Sequence, residues 1–127
     1  MNKHPVRWWE YASSDAQVSV DFFRLVFGWE LALDENTGIY EEPAGEGGNG
    51  FAGGGIFTLK PDSKLVPHLT IYIAVDDVDA KAMEISSAGG EIVIEPLEIS
   101  PGVRICLFKE PMGQLFAMIE RPRGDRQ

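Results

Sequence analysis

Apolar and polar positions alternate over short stretches and then switch to a helical period, and they do so twice in the same order. Arg7–Ala12 and Leu69–Val75 are rich in aromatic and β-branched residues and run into Ser or Asp clusters, so each predicts a strand. From Asp15 the apolar residues Val18, Phe22, Leu25 and Val26 recur at helical spacing, as do Val78, Ala82, Ile85 and Ala88 from Asp77. Each Asp stands where an N-cap presents its carboxylate to the free N–H groups of the first turn. Gly28 and the pair Gly89-Gly90 then end the helices, because a left-handed residue is easiest for glycine. Three further strands follow each helix. They are Trp29–Asp34, Gly38–Glu42 and Phe51–Leu59 in the first half, and Glu91–Ile94, Val103–Lys109 and Leu115–Glu120 in the second. Turns at Asn36-Thr37-Gly38, Ser100-Pro101-Gly102 and Glu110-Pro111-Met112-Gly113 separate them, as does the longer stretch Pro43–Gly50.

The pattern is therefore an internal repeat. Aligning Asp15 with Asp77, 62 positions apart, sets Gly28 on Gly90 and Leu31 on Val93. Few residues are identical, but each half reads strand, Asp, amphipathic helix, Gly and three strands. The expected architecture is a single α+β domain over residues 1–127, with module one at about 5–60 and module two at about 66–121. Lys60–Pro67, with two prolines, reads as the linker, and Arg121–Gln127 as a frayed basic tail. The Arg-Gly-Asp at 123–125 carries no weight without a cell-surface context.

Composition changes this picture in only a few respects. Eleven Lys and Arg against twenty Asp and Glu give a net charge of −9, with no basic stripe, which argues against nucleic acid and anionic membranes as partners. An acidic field favours a cationic small ligand. No apolar run is long enough for a membrane span, and the start lacks the apolar core of a secretory signal. The one cysteine, Cys106, has no internal disulfide partner, which suits a reducing cytoplasm.

Three stretches carry a family resemblance: WWEYASSDAQVSVDFFRLVFGWEL, PHLTIYIAVDDVDAKAMEISSAGGEI and GVRICLFKEPMGQLFAMIE. Within them FF-x-L-V-FGWE, AVDDVDA and EPMGQLFAMIE resemble the recurring wording of the vicinal oxygen chelate superfamily, the glyoxalase, bleomycin-resistance and extradiol dioxygenase fold. The resemblance implies two βαβββ modules whose strands curl into a cupped mixed sheet around a pocket. It also implies homodimerisation, and in metal-dependent relatives a divalent ion held by His, Gln and Glu from the first and last strand of each module. Divalent ions need such nitrogen and oxygen donors. At those positions this chain carries Trp8, Thr70, Ala117 and the run Gly53-Gly54-Gly55, none of them a useful donor. No metal and no cofactor are therefore expected.

Alternation along strands then selects the rest of the candidate site. Glu10 shares a face with Trp8, Tyr72 with Thr70, and Arg104 with Cys106. The candidate ligand-binding set is Trp8, Glu10, Thr70, Tyr72, Arg104 and Ala117. An indole wall beside a carboxylate suits a flat or cationic organic molecule through stacking and cation–π attraction. The expected function is small-molecule binding without a metal, such as sequestration of a cationic or aromatic compound. The alternative is a metal-dependent lyase, isomerase or dioxygenase-like enzyme, with His68 and Glu10 rescuing a metal site or with Glu10 as a general base near Tyr72. Other residues take quieter readings. His4 is part of the lead, His68 a polar residue leading into its strand, Cys106 a small buried hydrophobe, and Glu120 a surface carboxylate near Arg121. Gly53–Gly55 marks close backbone approach, and Phe22, Phe27 and Trp29 pack in the core.

Overall fold

The computed structural model describes residues 3–42 and 53–122. The Pro43–Gly50 loop, the first two residues of the expected Phe51–Leu59 strand, and the tail beyond Pro122, with its Arg-Gly-Asp, lie outside the described residues. In chain order the elements are β1 (Val6–Ser13), α1 (Ala16–Phe27), β2 (Ala32–Asp34), β3 (Ile39–Glu42), β4 (Gly53–Thr58), β5 (His68–Val75), α2 (Val78–Ser87), β6 (Glu91–Ser100), β7 (Val103–Lys109) and β8 (Leu115–Glu120). This is the βαβββ order twice over, an α+β fold. The chain divides into two compact units, Trp8–Thr70 and Ile71–Gln127 with Met1–Arg7.

In the first unit the strand order is β2-β3-β4-β1, with β1 and β4 parallel and the other pairs antiparallel. Asp15 caps α1, its carboxylate accepting from the N–H groups of Gln17 and Val18. Gly28 closes the helix at φ 68°, where a Cβ would be strained, and its N–H reaches the Arg24 carbonyl at 3.0 Å. Helix α1 covers one face of the sheet through Ala16 and Val20, packed with Leu31 and Ile56 and flanked by Trp9, Tyr11, Phe23, Trp29 and Tyr40. Phe23 stacks on Trp29 with centroids 4.6 Å apart, and Trp9 tilts against Trp29 at 5.6 Å. Such ring pairs contribute about 0.5–1.5 kcal/mol each beyond the area they bury.

The helical face differs from the one the spacing suggested. Val18, Phe22, Leu25 and Val26 all point outward and are more than half exposed, and so is Phe27. Ala16 and Val20 pack on Leu31 and Ile56 instead, with Phe23 beside them, so the inner face is the one that carries these three residues. Strand β2 also starts later than expected, at Ala32, because Trp29 belongs to the aromatic cluster and Leu31 to the core.

The second unit repeats this order as β5-β8-β7-β6, again with the first and last strands of the module parallel. Asp77 caps α2 by accepting from the Ala80 N–H at 3.0 Å. Val78 and Ala82 seat the helix against Val75, Cys106 and Met118, with Ile73, Ile85, Ile92 and Phe108 around them. Strand β6 extends to Ser100, well beyond the expected Ile94, and passes through Pro96 by register shifts against β7. A proline is tolerated in a strand at such irregularities. The N-terminal lead is tied to β5. The Ala74 N–H donates to the Pro5 carbonyl at 2.9 Å, His4 Nδ1 lies 3.1 Å from the Ala74 carbonyl, and the Arg121 guanidinium donates to the Lys3 carbonyl. Among the described residues no helix is long and apolar enough to cross a membrane.

Candidate functional site

Alternation along β1 sends Trp9 and Tyr11 under α1 and leaves Trp8 and Glu10 on the face away from the helix. The two are joined there, the Trp8 Nε1–H donating to Glu10 Oε2 at 3.3 Å. Both are half-buried. In register with them on β4 stand Gly53 beside Trp8 and Gly55 beside Glu10. The glycines are a steric requirement on both faces. A Cβ on Gly54 would lie 1.9 Å from the Trp9 ring, and one on Gly55 would lie 2.5 Å from Ile39 Cγ2 and 3.1 Å from Trp8 Cζ2. The three-glycine run therefore lets both indoles lie close against β4, as the expectation of close approach required.

On its other side Gly55 pairs with Glu41 of β3. A row of in-register residues thus runs Glu10, Gly55, Glu41 across the helix-distal face. At about 4.8 Å per strand the two carboxylates' backbones stand roughly 10 Å apart, and the space over Gly55 between them is taken up by the ends of the Ile39 and Trp8 side chains. Glu41 was not singled out from the sequence. The signal was present in the alternation of Ile39-Tyr40-Glu41, since Tyr40 packs with the core under α1.

Module two places the corresponding residues on its own helix-distal face. Thr70, Tyr72 and Ala117 lie 62 positions after Trp8, Glu10 and Gly55, and Tyr72 pairs with Ala117 as Glu10 pairs with Gly55. Tyr72, Ala117 and Leu107 form one buried row, and Thr70 is buried on the same side of β5 as Tyr72. The repeat thus keeps the position and changes the chemistry, from indole and carboxylate to hydroxyl and phenol.

Arg104 is not on that face. It shares its side of β7 with Cys106, as alternation required, and that side faces α2. Its guanidinium forks onto Asp79 at 2.6 and 3.2 Å and lies 3.6 Å from Glu120. The bond from Arg104 holds the Asp79 carboxyl below its ordinary range and raises the guanidinium in turn. Glu120 likewise differs from expectation. Its carboxylate is largely buried, and Oε2 accepts from the Val78 N–H at 3.0 Å, so it satisfies a donor in the first turn of α2. Arg121 turns instead to Asp76 at 2.8 Å. These ions fasten the N-terminus of α2 to β7 and β8; Arg104 serves packing here.

The remaining candidates take structural positions. The Cys106 thiol is fully buried, and burial first, then Glu95 and Asp79, pushes its pKa up to about 11, the opposite of a nucleophile's requirement. His68 Nδ1 lies 2.8 Å from the Val66 carbonyl just before its strand. A hollow of about 140 Å³ opens on the helix side of module two between Ile73, Val75, Ile85, Phe108 and Met118. Of its two polar neighbours, His4 is bonded to Ala74 and Lys81 to Glu84, so its walls offer packing and no reacting group.

A divalent ion needs three or four converging donors. Among the described residues no three His, Cys, Asp or Glu side chains gather, and the four positions singled out by resemblance present indole, hydroxyl, methyl and glycine backbone. That donor set does not fit an ion.

Comparison with known proteins agrees with the repeat and the sheet order. Residues 6–118 match the model of the Glyoxalase/Bleomycin resistance protein/Dioxygenase superfamily. The anthracycline biosynthesis protein DnrV of Streptomyces peucetius is 26% identical, over 87% of this chain and 45% of DnrV. The chain thus spans less than half the length of that curated relative. Among solved structures, a methylmalonyl-CoA epimerase in complex with methylmalonyl-CoA and NH4+ superposes with a TM-score of 0.62 at 20% identity, covering 99% of this chain and 100% of that one. The methylmalonyl-CoA epimerase of Mycobacterium tuberculosis gives 0.61 at 21% identity, covering 91% and 87%. At these identities the structures share the fold alone. With two βαβββ modules of one strand order and a family match over nearly its whole length, the chain belongs to the glyoxalase/bleomycin resistance protein/dioxygenase superfamily.

Proposed function

We propose that the protein binds a flat organic cation on the helix-distal face of module one, without a metal. The observation that carries this reading is the Trp8–Glu10 pair beside Gly53 and Gly55, an indole face and a carboxylate with no side chain opposite them on β4. Stacking and cation–π attraction on such a ring are worth about 0.5–2 kcal/mol, rising as water is excluded. Glu41, across Gly55, adds a second negative charge to the same face, and the net charge of −9 draws cations toward the chain. A relative named for anthracycline biosynthesis is in keeping with an aromatic ligand. Thr70, Tyr72 and Ala117 are the module-two counterparts and stay candidates on that module's own helix-distal face; Arg104, engaged with Asp79, does not. A small molecule in a reducing cytoplasm, rather than nucleic acid or membrane, is the partner this charge and this lone buried thiol suit.

The test is calorimetric titration of chelator-treated protein with the planar cation proflavine and with doxorubicin. The proposal expects saturable one-to-one binding that Glu10→Gln weakens about tenfold, the 1.4 kcal/mol scale of one charge-assisted contact. Binding that appears only after adding Mn, Ni, Zn or Mg ions, or one tightly held ion per chain, would overturn the metal-free part.

One observation favours a second reading. Glu10 and Glu41 stand in register across Gly55, two carboxylates on one face of the sheet, so Glu10 could act as a general base in a proton-transfer reaction. Exchange of an acidic C–H of a small acyl thioester in heavy water, abolished by Glu10→Gln, would put this reading first.

A further inference from the structure

The hollow on the helix side of module two stands where module one is filled by its own side chains. Through the 62-position offset its lining residues Ile73, Val75, Lys81, Ile85 and Met118 answer to Tyr11, Ser13, Ser19, Phe23 and Ile56. In module one the Tyr11 and Phe23 rings pack against the core under α1, and Phe23 stacks on Trp29. The Ser13 and Ser19 hydroxyls, 2.7 Å apart, join strand to helix beside them.

Module two lacks each of these. Both rings give way to isoleucine, Trp29 gives way to the exposed Glu91, and Val75 and Lys81 cannot renew the hydroxyl bond. The space between α2 and its sheet is left open as a result, and Ile73, Ile85 and Phe108 stay half-buried around it. Strands β5, β7 and β8 and helix α2 each supply a wall, and the lead supplies His4, so the hollow lies within one compact unit. It is on the opposite side of that sheet from Thr70, Tyr72 and Ala117.

We infer that this hollow is a second binding site, for a single aromatic ring that carries a carboxylate. Volume sets the body of the ligand. An apolar cavity of about 150 Å³ stays dry and accepts benzene, and this one is about 140 Å³. The repeat points to the same shape, because the side chains missing from module two are the rings of Tyr11 and Phe23. Phe108 and the Met118 thioether suit a ring as neighbours, through edge-to-face and sulfur–aromatic contact. The polar edge sets the head group. Among the described residues no carboxylate lines the hollow, and its cationic lining residue is Lys81. Lys81 meets Glu84 at 2.9 Å, three residues on along α2, where the glutamate side chain is 68% exposed. Such surface pairs hold weakly. The ammonium therefore turns to a ligand carboxylate at small cost and gains a charge-assisted bond beside apolar walls.

Methyl carbon–proton spectra of the 127-residue chain, titrated with sodium benzoate, test the inference. The Ile73, Ile85 and Met118 methyls should shift saturably, while those of Ile39 and Ile56 in module one hold still. Lys81→Gln should weaken binding about tenfold. Ile85→Phe, which puts back the ring that module one has at Phe23, should fill the hollow and remove binding. If Ile85→Phe disturbs folding, as circular dichroism would reveal, Lys81→Gln still decides, because that side chain reaches the surface of α2. No saturable shift at the three methyls, or benzoate binding indifferent to Lys81→Gln, would overturn the inference, and so would benzyl alcohol binding as tightly as benzoate.

Discussion

Gly54 and Gly55 show how much of this site rests on atoms that are not there. A Cβ on Gly54 would sit inside the Trp9 ring, so Gly54→Ala forces the indole out of the aromatic cluster under α1. Overpacking of this kind costs about 1–3 kcal/mol, and urea denaturation should show a loss near the top of that range. Gly55→Ala presses on the ends of Ile39 and Trp8 instead, so its larger effect is expected on ligand affinity and its smaller one on the denaturation midpoint. Cys106 makes the opposite point, a reactive group made inert by burial. With its pKa moved from 9.0 to about 11 in the fold, the thiol keeps its proton longer than it would in the unfolded chain. The unfolded state therefore binds fewer protons between about pH 9 and 11, and this group's contribution to stability falls as pH rises through that window. Ellman's reagent at pH 8 should leave the native thiol unlabelled and react once urea unfolds the chain; rapid native labelling would contradict the burial.

Among the elements, α2 depends most on ions outside itself. Glu120 from β8 accepts from its first N–H, and Arg104 from β7 holds Asp79 in its first turn. Glu120→Ala removes an acceptor from the helix N-terminus and should cost about 1 kcal/mol, read as a lowered melting temperature. Asp79 has a depressed pKa, so its bond is present above the ordinary carboxylate range near 3.8 and is lost as pH falls through the lowered value. Asp79→Asn should flatten the acid side of the stability profile. The caps Asp15 and Asp77 were legible in the sequence, because a carboxylate before an amphipathic run has one good use. The facing of α1 was not legible. Both sides of that helix are apolar, so periodicity finds the stripe Val18, Phe22, Leu25 without saying which way it points. Arg104 has the same cause: alternation correctly ties it to Cys106, but both faces of β7 are apolar, and only the packing of α2 tells them apart.

For the molecule as a whole, the 62-residue offset predicted more than its few identities suggest. It equates Trp8, Glu10 and Gly55 with Thr70, Tyr72 and Ala117, and the two units realise that equation in the same strand order and the same register. Fold and repeat were readable because they rest on apolar period, caps and turns, which survive divergence. The face proposed for the ligand was readable on β1, where Trp8 and Glu10 alternate with core residues, and incomplete on β3, where Glu41 takes its place through pairing with Gly55. Pairing partners distant in the chain leave no local signal. The three tryptophans make a direct test of the central claim. Trp8 lies on the helix-distal face, whereas Trp9 and Trp29 lie in the cluster under α1. In nitrogen–proton correlation spectra of the chelator-treated protein titrated with proflavine, the Trp8 indole resonance should shift saturably while those of Trp9 and Trp29 hold still. Shifts confined to Trp9 and Trp29, or none at Trp8, would contradict the account.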